Sequence, residues 1–329
     1  MLDGTFSDPP RTLPSMPTCR VCTAPLAGRR LDVSEMWQRT GEVFPYQLCD
    51  VCGSLQLLEI PSDLGPYYGP SYFNAYAPSR GWRAAAATVR TWLLRRGPTL
   101  LFKALRGASH RNRVHPLLPI RALKLCSDAR IADVGSGTGM LALALYRVGF
   151  RHLTCIEPYG KPMGLPPAIT VHSGSLSDVA DVFDLIMYHH VLEHVEDWDA
   201  ELNAARLHLA PAGVLLLRLP VIPNEAFDRF GDSWVQIDPP RHINIPSRRG
   251  LESALARVGM RVVATGDDSR GFSFWGSSLA QRGIAHGGAG PGARHFSAKE
   301  LARFDAMADD ANSRNMGDQA WFLARQAAS

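Results

Sequence analysis

The chain has 329 residues, 46% of them hydrophobic, and its 35 basic and 31 acidic side chains leave a formal charge of only +4. That is an ordinary globular composition, long enough for one large domain and a smaller one. No run of 18 apolar residues occurs, which excludes a transmembrane helix, and six cysteines are too few for a disulfide scaffold.

Residues 1–16 are rich in Pro, Ser and Thr and lack apolar periodicity or a secretory apolar core, which predicts a disordered lead-in on a cytoplasmic chain. Residues 17–77 read as a small zinc-binding domain. Cys19, Cys22, Cys49 and Cys52 form two C-x2-C knuckles separated by 26 residues. Two knuckles supply four thiolates to a tetrahedral ion, and a shell closed by protein ligands makes the Zn2+ structural. A unit this small buries little core, and structural zinc contributes on the order of 10 kcal/mol to folding. The isolated Cys126 and Cys155 are expected in the core. Tyr67, Tyr68 and Tyr72 follow, offering hydroxyls and flat ring faces to an acceptor or packing a domain seam.

Residues 78–125 carry apolar positions at helical spacing broken at Gly97-Pro98, which predicts a helical connector. Between Asp63 and Asp128 stand eleven basic residues and no acidic one, so the remainder of the chain carries a net charge of −7. Such a stretch attracts polyanions: a nucleotide sugar, an acidic carrier, an anionic surface or RNA.

From residue 126 to 329 short apolar runs alternate with amphipathic stretches. The runs are Ile131 to Val134, Leu153 to Ile156, Ile169 to Val171, Phe183 to Tyr188 and Val214 to Leu219. This pattern predicts an α/β fold with a doubly wound parallel sheet. A helix is expected after Ser247, and Arg261 to Ala264 and Gln319 to Leu323 read as the last two strands, with the glycine-rich stretch Gly283 to Gly292 between them a loop.

The first strand of this part runs into Gly135-Ser136-Gly137-Thr138-Gly139 and then a helix, a turn that lets a ligand approach the backbone closely. Met140 stands where a dinucleotide fingerprint has its third glycine, so a pyrophosphate is disfavoured. Glu157, twenty residues after Gly137, can accept both hydroxyls of a ribose, and Asp133 can hold a cationic amino group. A ligand with adenosine at one end and an amino acid at the other meets both demands.

Ala132-Asp133-Val134-Gly135-Ser136-Gly137-Thr138-Gly139 followed by Cys155-Ile156-Glu157-Pro158 resembles the cofactor site of class I S-adenosylmethionine-dependent methyltransferases. Phe183 to Ile186, Leu192 to Val195 and Leu209 to Gly213 are similar to that family's later motifs. The resemblance covers about residues 126 to 270. It implies a Rossmann-like seven-stranded sheet, S-adenosyl-L-methionine as cofactor, and contacts from Asp133, the loop 135–139, Glu157 and His189. Relatives carry an acid after the third strand, where Gly174-Ser175-Leu176 stands here, so Ser175 and Leu176 are the candidates for the adenine contact. A zinc unit ahead of such a domain resembles the branch that includes sugar C-methyltransferases.

Methyl transfer from a sulfonium is an in-line displacement, so the protein positions the acceptor and removes its proton. His190, Glu193 and His194 after the fourth strand share a face if that segment turns helically, and His242 follows the fifth strand. His242 or His194 is the expected base. The expected activity is methylation of a small acceptor, a sugar or another biosynthetic intermediate and an anionic one among the options. The alternatives are an RNA methyltransferase that uses the basic connector and a non-catalytic cofactor-binding or scaffold protein.

Overall fold

The computed structural model describes residues 17–68, 117–160, 164–285 and 292–327. The lead-in, Tyr72 and residues 78–116 of the basic connector lie outside the described residues. The last turns of that connector form α1 (Leu117–Ala122).

The main sheet has seven strands: β4 (Arg130–Val134), β5 (His152–Glu157), β6 (Ile169–Ser173), β7 (Phe183–His189), β8 (Leu209–Pro220), β10 (Met260–Asp267) and β11 (Gln319–Gln326). Their order is β10-β11-β8-β7-β4-β5-β6. The strands from β4 to β8 pair in parallel, and β11 lies antiparallel between β8 and β10. The central strands are buried on both faces, as Ile131, Ala132, Leu185, Ile186, Leu215 and Leu217 show, which is why they read as continuous apolar runs. The strand order reverses between β4 and β7, and a doubly wound sheet opens a ligand crevice at the carboxyl ends of its strands there.

Helix α2 (Met140–Arg147) starts at Gly139 without a side-chain cap, whereas α3 (Trp198–His208) and α5 (Arg248–Arg257) start where a side chain satisfies an early amide. The Asp197 side chain accepts from the Ala200 amide at 2.9 Å and Ser247 from the Gly250 amide at 2.8 Å. Gly149, at φ +100°, follows the last turn of α2 as expected of a C-terminal glycine. The remaining helices are α4 (Glu225–Phe230), α6 (Phe272–Gln281), α7 (Gly292–His295) and α8 (Ala298–Ser313).

Two local expectations are corrected, and three helices appear that the apolar periodicity does not announce. These helices, α6 to α8, lie between β10 and β11, outside the glycine-rich stretch 283–292 apart from Gly292, which begins α7; the Ser297–Glu300 capping box is the sequence signal for α8. The segment from Leu209 to Gly213 is an irregular start of β8, where the pairing with β7 shifts register, so α3 passes into the strand at once. Cys126 is exposed in the turn before β4, whereas Cys155 is buried as expected.

The cysteine segment does not close its core alone. Its strands β1 (Arg30–Ser34), β2 (Val43–Leu48) and β3 (Leu55–Leu57) form an antiparallel sheet whose fourth strand, β9 (Asn244–Ile245), comes from the C-terminal half. Leu31, Val33, Tyr46, Leu55 and Leu57 are buried with Ile222, Trp234, Ile237 and Phe274 in one apolar cluster. Among the described residues no helix is long and apolar enough to cross a membrane.

Candidate functional site

The glycine loop sits at the carboxyl end of β4, beside the switch point. Gly135, Gly137 and Gly139 all have positive φ, which an L side chain adopts only with strain. At Gly135 a Cβ would also come within 2.5 Å of Val191 Cγ2, whereas at Gly137 it would meet nothing within 4 Å. The first glycine lets the β7 loop close in, and the second leaves open space. The Gly137 amide donates to Glu157 Oε2 at 2.7 Å and the Tyr159 amide to Oε1 at 3.1 Å, so the carboxylate is fixed at the end of β5 with lone pairs to spare.

Asp133 is 4% exposed and its Oδ2 has no hydrogen-bond partner among the described residues. Burial, with the nearby Glu157 charge assisting and the Ala142 amide opposing, pushes its pKa up to about 7. An orphaned buried carboxylate oxygen beside an open glycine turn fits a ligand that brings a cationic donor. Ser136, whose buried Oγ is also unpartnered, and Thr138 complete the loop. Beyond β6, Ser175 donates its hydroxyl to Asp178 Oδ2 at 2.7 Å and Leu176 is fully buried beneath the turn. Ser175 and Asp178 thus form a capping box, which the S-x-x-D spacing could have signalled.

The histidines gather on the next two strand ends. His190, at φ +58°, leaves β7, and a single 3-10 turn, Leu192–His194, brings Glu193 back toward it. His190 Nδ1 lies 3.0 Å from Glu193 Oε1 and its Nε2 lies 2.7 Å from Arg218 Nη1. A guanidinium only donates, so Nε2 accepts and Nδ1–H donates to the carboxylate: both nitrogens of His190 are engaged. Arg218 Nη1 also lies 3.1 Å from His189 Nε2, and Arg218 Nε donates to Asp268 Oδ2 at 2.6 Å. Burial and the Arg218 charge hold His189 well below its ordinary pKa.

His194 Nδ1 lies 2.7 Å from the Arg241 carbonyl and 3.1 Å from the Tyr68 hydroxyl. A carbonyl only accepts, so Nδ1 carries the proton and Nε2 the lone pair. His242 Nδ1 lies 2.8 Å from the Gln236 carbonyl, which fixes the same tautomer when that ring is neutral. The two rings meet edge to face with centroids 4.8 Å apart. Burial and His242 push the His194 pKa down to about 4, against the pull of Glu193. Burial on its own raises the Glu193 carboxyl, but the His190 hydrogen bond and the surrounding imidazoles bring it down to about 2. One oxygen of Glu193, His194 and His242 offer ligand atoms all within 4.8 Å of one another.

The cysteine segment reaches this cluster. Tyr46 donates its hydroxyl to the His242 carbonyl at 2.7 Å, and Arg241 Nη1 donates to the Tyr67 carbonyl at 2.9 Å. Tyr67 itself is buried and donates its hydroxyl to Glu42. Arg241 also forks onto Asp238 and meets Glu35, whose carboxylate accepts the amides of Trp37, Gln38 and Arg39. Sequence reasoning misses Glu35, Asp268 and the role of Arg218, because their partners lie 28 to 206 positions away.

The four cysteines of the knuckles converge as well. Cys19 and Cys52 Sγ are 3.7 Å apart, as are Cys22 and Cys49 Sγ, and none is in a disulfide. Sulfurs about 2.3 Å from a tetrahedral ion are roughly 3.8 Å from one another, so the donor set fits one such ion.

The profile of the family described as "Methyltransferase domain" matches residues 101–265. A ubiquinone biosynthesis O-methyltransferase of Paramagnetospirillum magneticum (strain ATCC 700264 / AMB-1) is 30% identical over 127 residues, 36% of this chain and 49% of that protein. The chain thus spans about half the length of that curated relative. Among solved structures, the [4+2]-cyclase SpnF is 18% identical with a TM-score of 0.45, over 74% of this chain and 96% of that one. A putative sarcosine dimethylglycine methyltransferase from Galdieria sulphuraria is 18% identical with a TM-score of 0.42, over 65% of this chain and 84% of that one. The β4 glycine turn and the carboxylates at the ends of β4 and β5 lie within the stretch that the profile matches, half of the sequence, and the chain belongs to the methyltransferase domain family.

Proposed function

We propose that the protein transfers a methyl group from S-adenosylmethionine to a hydroxyl of a small acceptor, a sugar or another biosynthetic intermediate, at the carboxyl ends of β7 and β8. The observation that carries this is Asp133, whose buried Oδ2 lacks a partner beside an open, positive-φ Gly137. Asp133 would hold the cofactor's amino group, Glu157 its ribose hydroxyls, and the loop from Gly135 to Gly139 its amino-acid end. When bound, the cofactor supplies an electrophilic methyl group.

The chain's own residues would place the acceptor and take its proton. When neutral, His194 and His242 keep the lone pair on Nε2, because main-chain carbonyls take the Nδ1 protons, and Glu193 would stabilise the charge that forms there. His190 has no free nitrogen and acts by positioning Glu193. Tyr68 braces His194 from the cysteine segment, which a structural Zn2+ on Cys19, Cys22, Cys49 and Cys52 would hold together.

Calorimetry with S-adenosylmethionine and its demethylated product tests the first half: micromolar or tighter binding is expected, and no binding overturns it. Turnover against a panel of hydroxylated small molecules tests the second. His194→Gln and His242→Gln are expected to lose at least a hundredfold in rate while still binding cofactor. Full turnover in both would overturn the acceptor assignment.

A further inference from the structure

Glu193 is fully buried; its Oε1 is held by His190 and its Oε2 has no partner among the described residues. An unpartnered buried polar atom costs about 1–3 kcal/mol, and more when charged. Around it, His194 and His242 have their Nδ1 atoms engaged on carbonyls, and each ring in its neutral form keeps an Nε2 lone pair. His242 Nε2 stands 4.0 Å from Glu193 Oε1 and 3.9 Å from Asp238 Oδ2, too far for a hydrogen bond to either. Each of the three side chains thus offers a ligand atom within 4.8 Å of the other two, and no hydrogen bond joins His242 Nε2 to either carboxylate.

We propose that the Glu193 carboxylate, His194 Nε2 and His242 Nε2 form a site for one divalent first-row transition-metal ion, distinct from the four-cysteine site and with positions open to acceptor oxygens. Two imidazoles and one carboxylate suit Mn, Fe, Co or Zn better than Mg or Ca, and three protein ligands leave room for exogenous ones. Ligands about 2.1 Å from one ion lie at most about 4.2 Å apart. One ligand atom from each of the three side chains already lies within 4.8 Å of the other two, so small side-chain adjustments bring them to that spacing. The surroundings have the form of an outer shell: the Arg241 and Gln236 carbonyls orient the histidines, and Asp268, Arg218 and His190 form a hydrogen-bonded chain that ends on Glu193. His190 therefore lies outside the ligand set.

The site rests on the acceptor-activating role proposed above and specifies how that role is exercised. An ion there polarises the bound hydroxyl so that its proton passes to water, and the histidines serve as ligands instead of free bases.

The full chain, with its cysteine site loaded with one equivalent of zinc, is titrated with Mn2+ while free Mn2+ is followed by electron paramagnetic resonance. Wild type is expected to bind one further equivalent. His194→Gln and His242→Gln should abolish it, and His190→Ala should weaken it about 10- to 100-fold, each variant keeping its zinc as proof of folding. Wild type that binds no Mn2+ overturns the site, as does an equivalent that survives both ligand substitutions. The count is independent of turnover, so an inactive methyltransferase and an absent ion give different results.

Discussion

Arg241 and Glu35, 206 positions apart, meet as a fully buried ion pair, Nη2 to Oε1 at 3.2 Å. One comes from the loop after the fifth parallel strand, the other from the end of β1. Glu35 also gathers three amides of its own loop, so a single carboxylate folds the cysteine segment and fastens it to the residue whose carbonyl orients His194.

Removing one partner of such a pair leaves an uncompensated buried charge, at a cost of about 3–5 kcal/mol. Glu35→Ala and Arg241→Ala should each lose that much in denaturant unfolding. The double substitution should cost clearly less than the sum, because the Arg241–Glu35 attraction is lost only once, while Asp238 lacks its guanidinium partner in both Arg241 variants. Additive losses would mean that the two residues act independently.

Asp133 links pH to both stability and binding. In the cofactor-free protein its pKa stands at about 7, above the ordinary 3.8. The folded chain thus holds this proton more tightly than the unfolded one. The stabilisation is complete below the unfolded value and is lost as pH rises through about 7, an effect of up to about 4 kcal/mol. Asp133→Asn should remove this slope and melt higher than wild type at pH 8, and it should bind S-adenosylmethionine poorly. Wild-type affinity should instead rise between pH 6 and pH 8, as the carboxylate ionises to meet the ligand's ammonium. Calorimetry and thermal melts at the two pH values decide; equal affinities would remove Asp133 from the site.

The glycine loop separates steric from functional need. Gly135→Ala drives a Cβ to 2.5 Å from Val191 and holds it at φ +65°, so stability and cofactor binding should fall together by more than about 2 kcal/mol. Gly137→Ala meets no protein atom within 4 Å and should cost only the roughly 1 kcal/mol of a strained φ. Its methyl nevertheless enters the space left for the ligand, so affinity should drop at least tenfold. A Gly137→Ala protein that binds cofactor like wild type would move the ligand elsewhere.

Stripping metal from the four cysteines should act beyond the knuckles. Strands β1 to β3 share a sheet with Asn244–Ile245 and a core with Trp234. Hydrogen exchange after chelation should therefore lose protection at residues 43–57 and 243–245 while β4 and β7 stay protected. Unchanged protection around Ile245 would show that the cysteine segment holds its fold without an ion.

What the sequence determines here is local. Each C-x2-C knuckle, the Gly135 to Gly139 turn between a strand and a helix, and the Ser247 cap depend on residues a few positions apart, so spacing and periodicity suffice, although the two knuckles meet only in the fold. The burial of β4 and β7 on both faces likewise shows in their apolar runs. The tertiary structure decides what meets across the chain. β9 completes the sheet of the cysteine segment, Arg241 finds Glu35, and Asp268 reaches Glu193 through Arg218 and His190. These are charged and polar groups taken out of water. A buried charge has to be matched by whichever partner the fold brings within 3 Å, and no periodicity along the chain encodes that partner. The same holds for the histidines: their types and order are visible in the sequence, but which nitrogen keeps a lone pair is fixed by carbonyls that only folding places beside them.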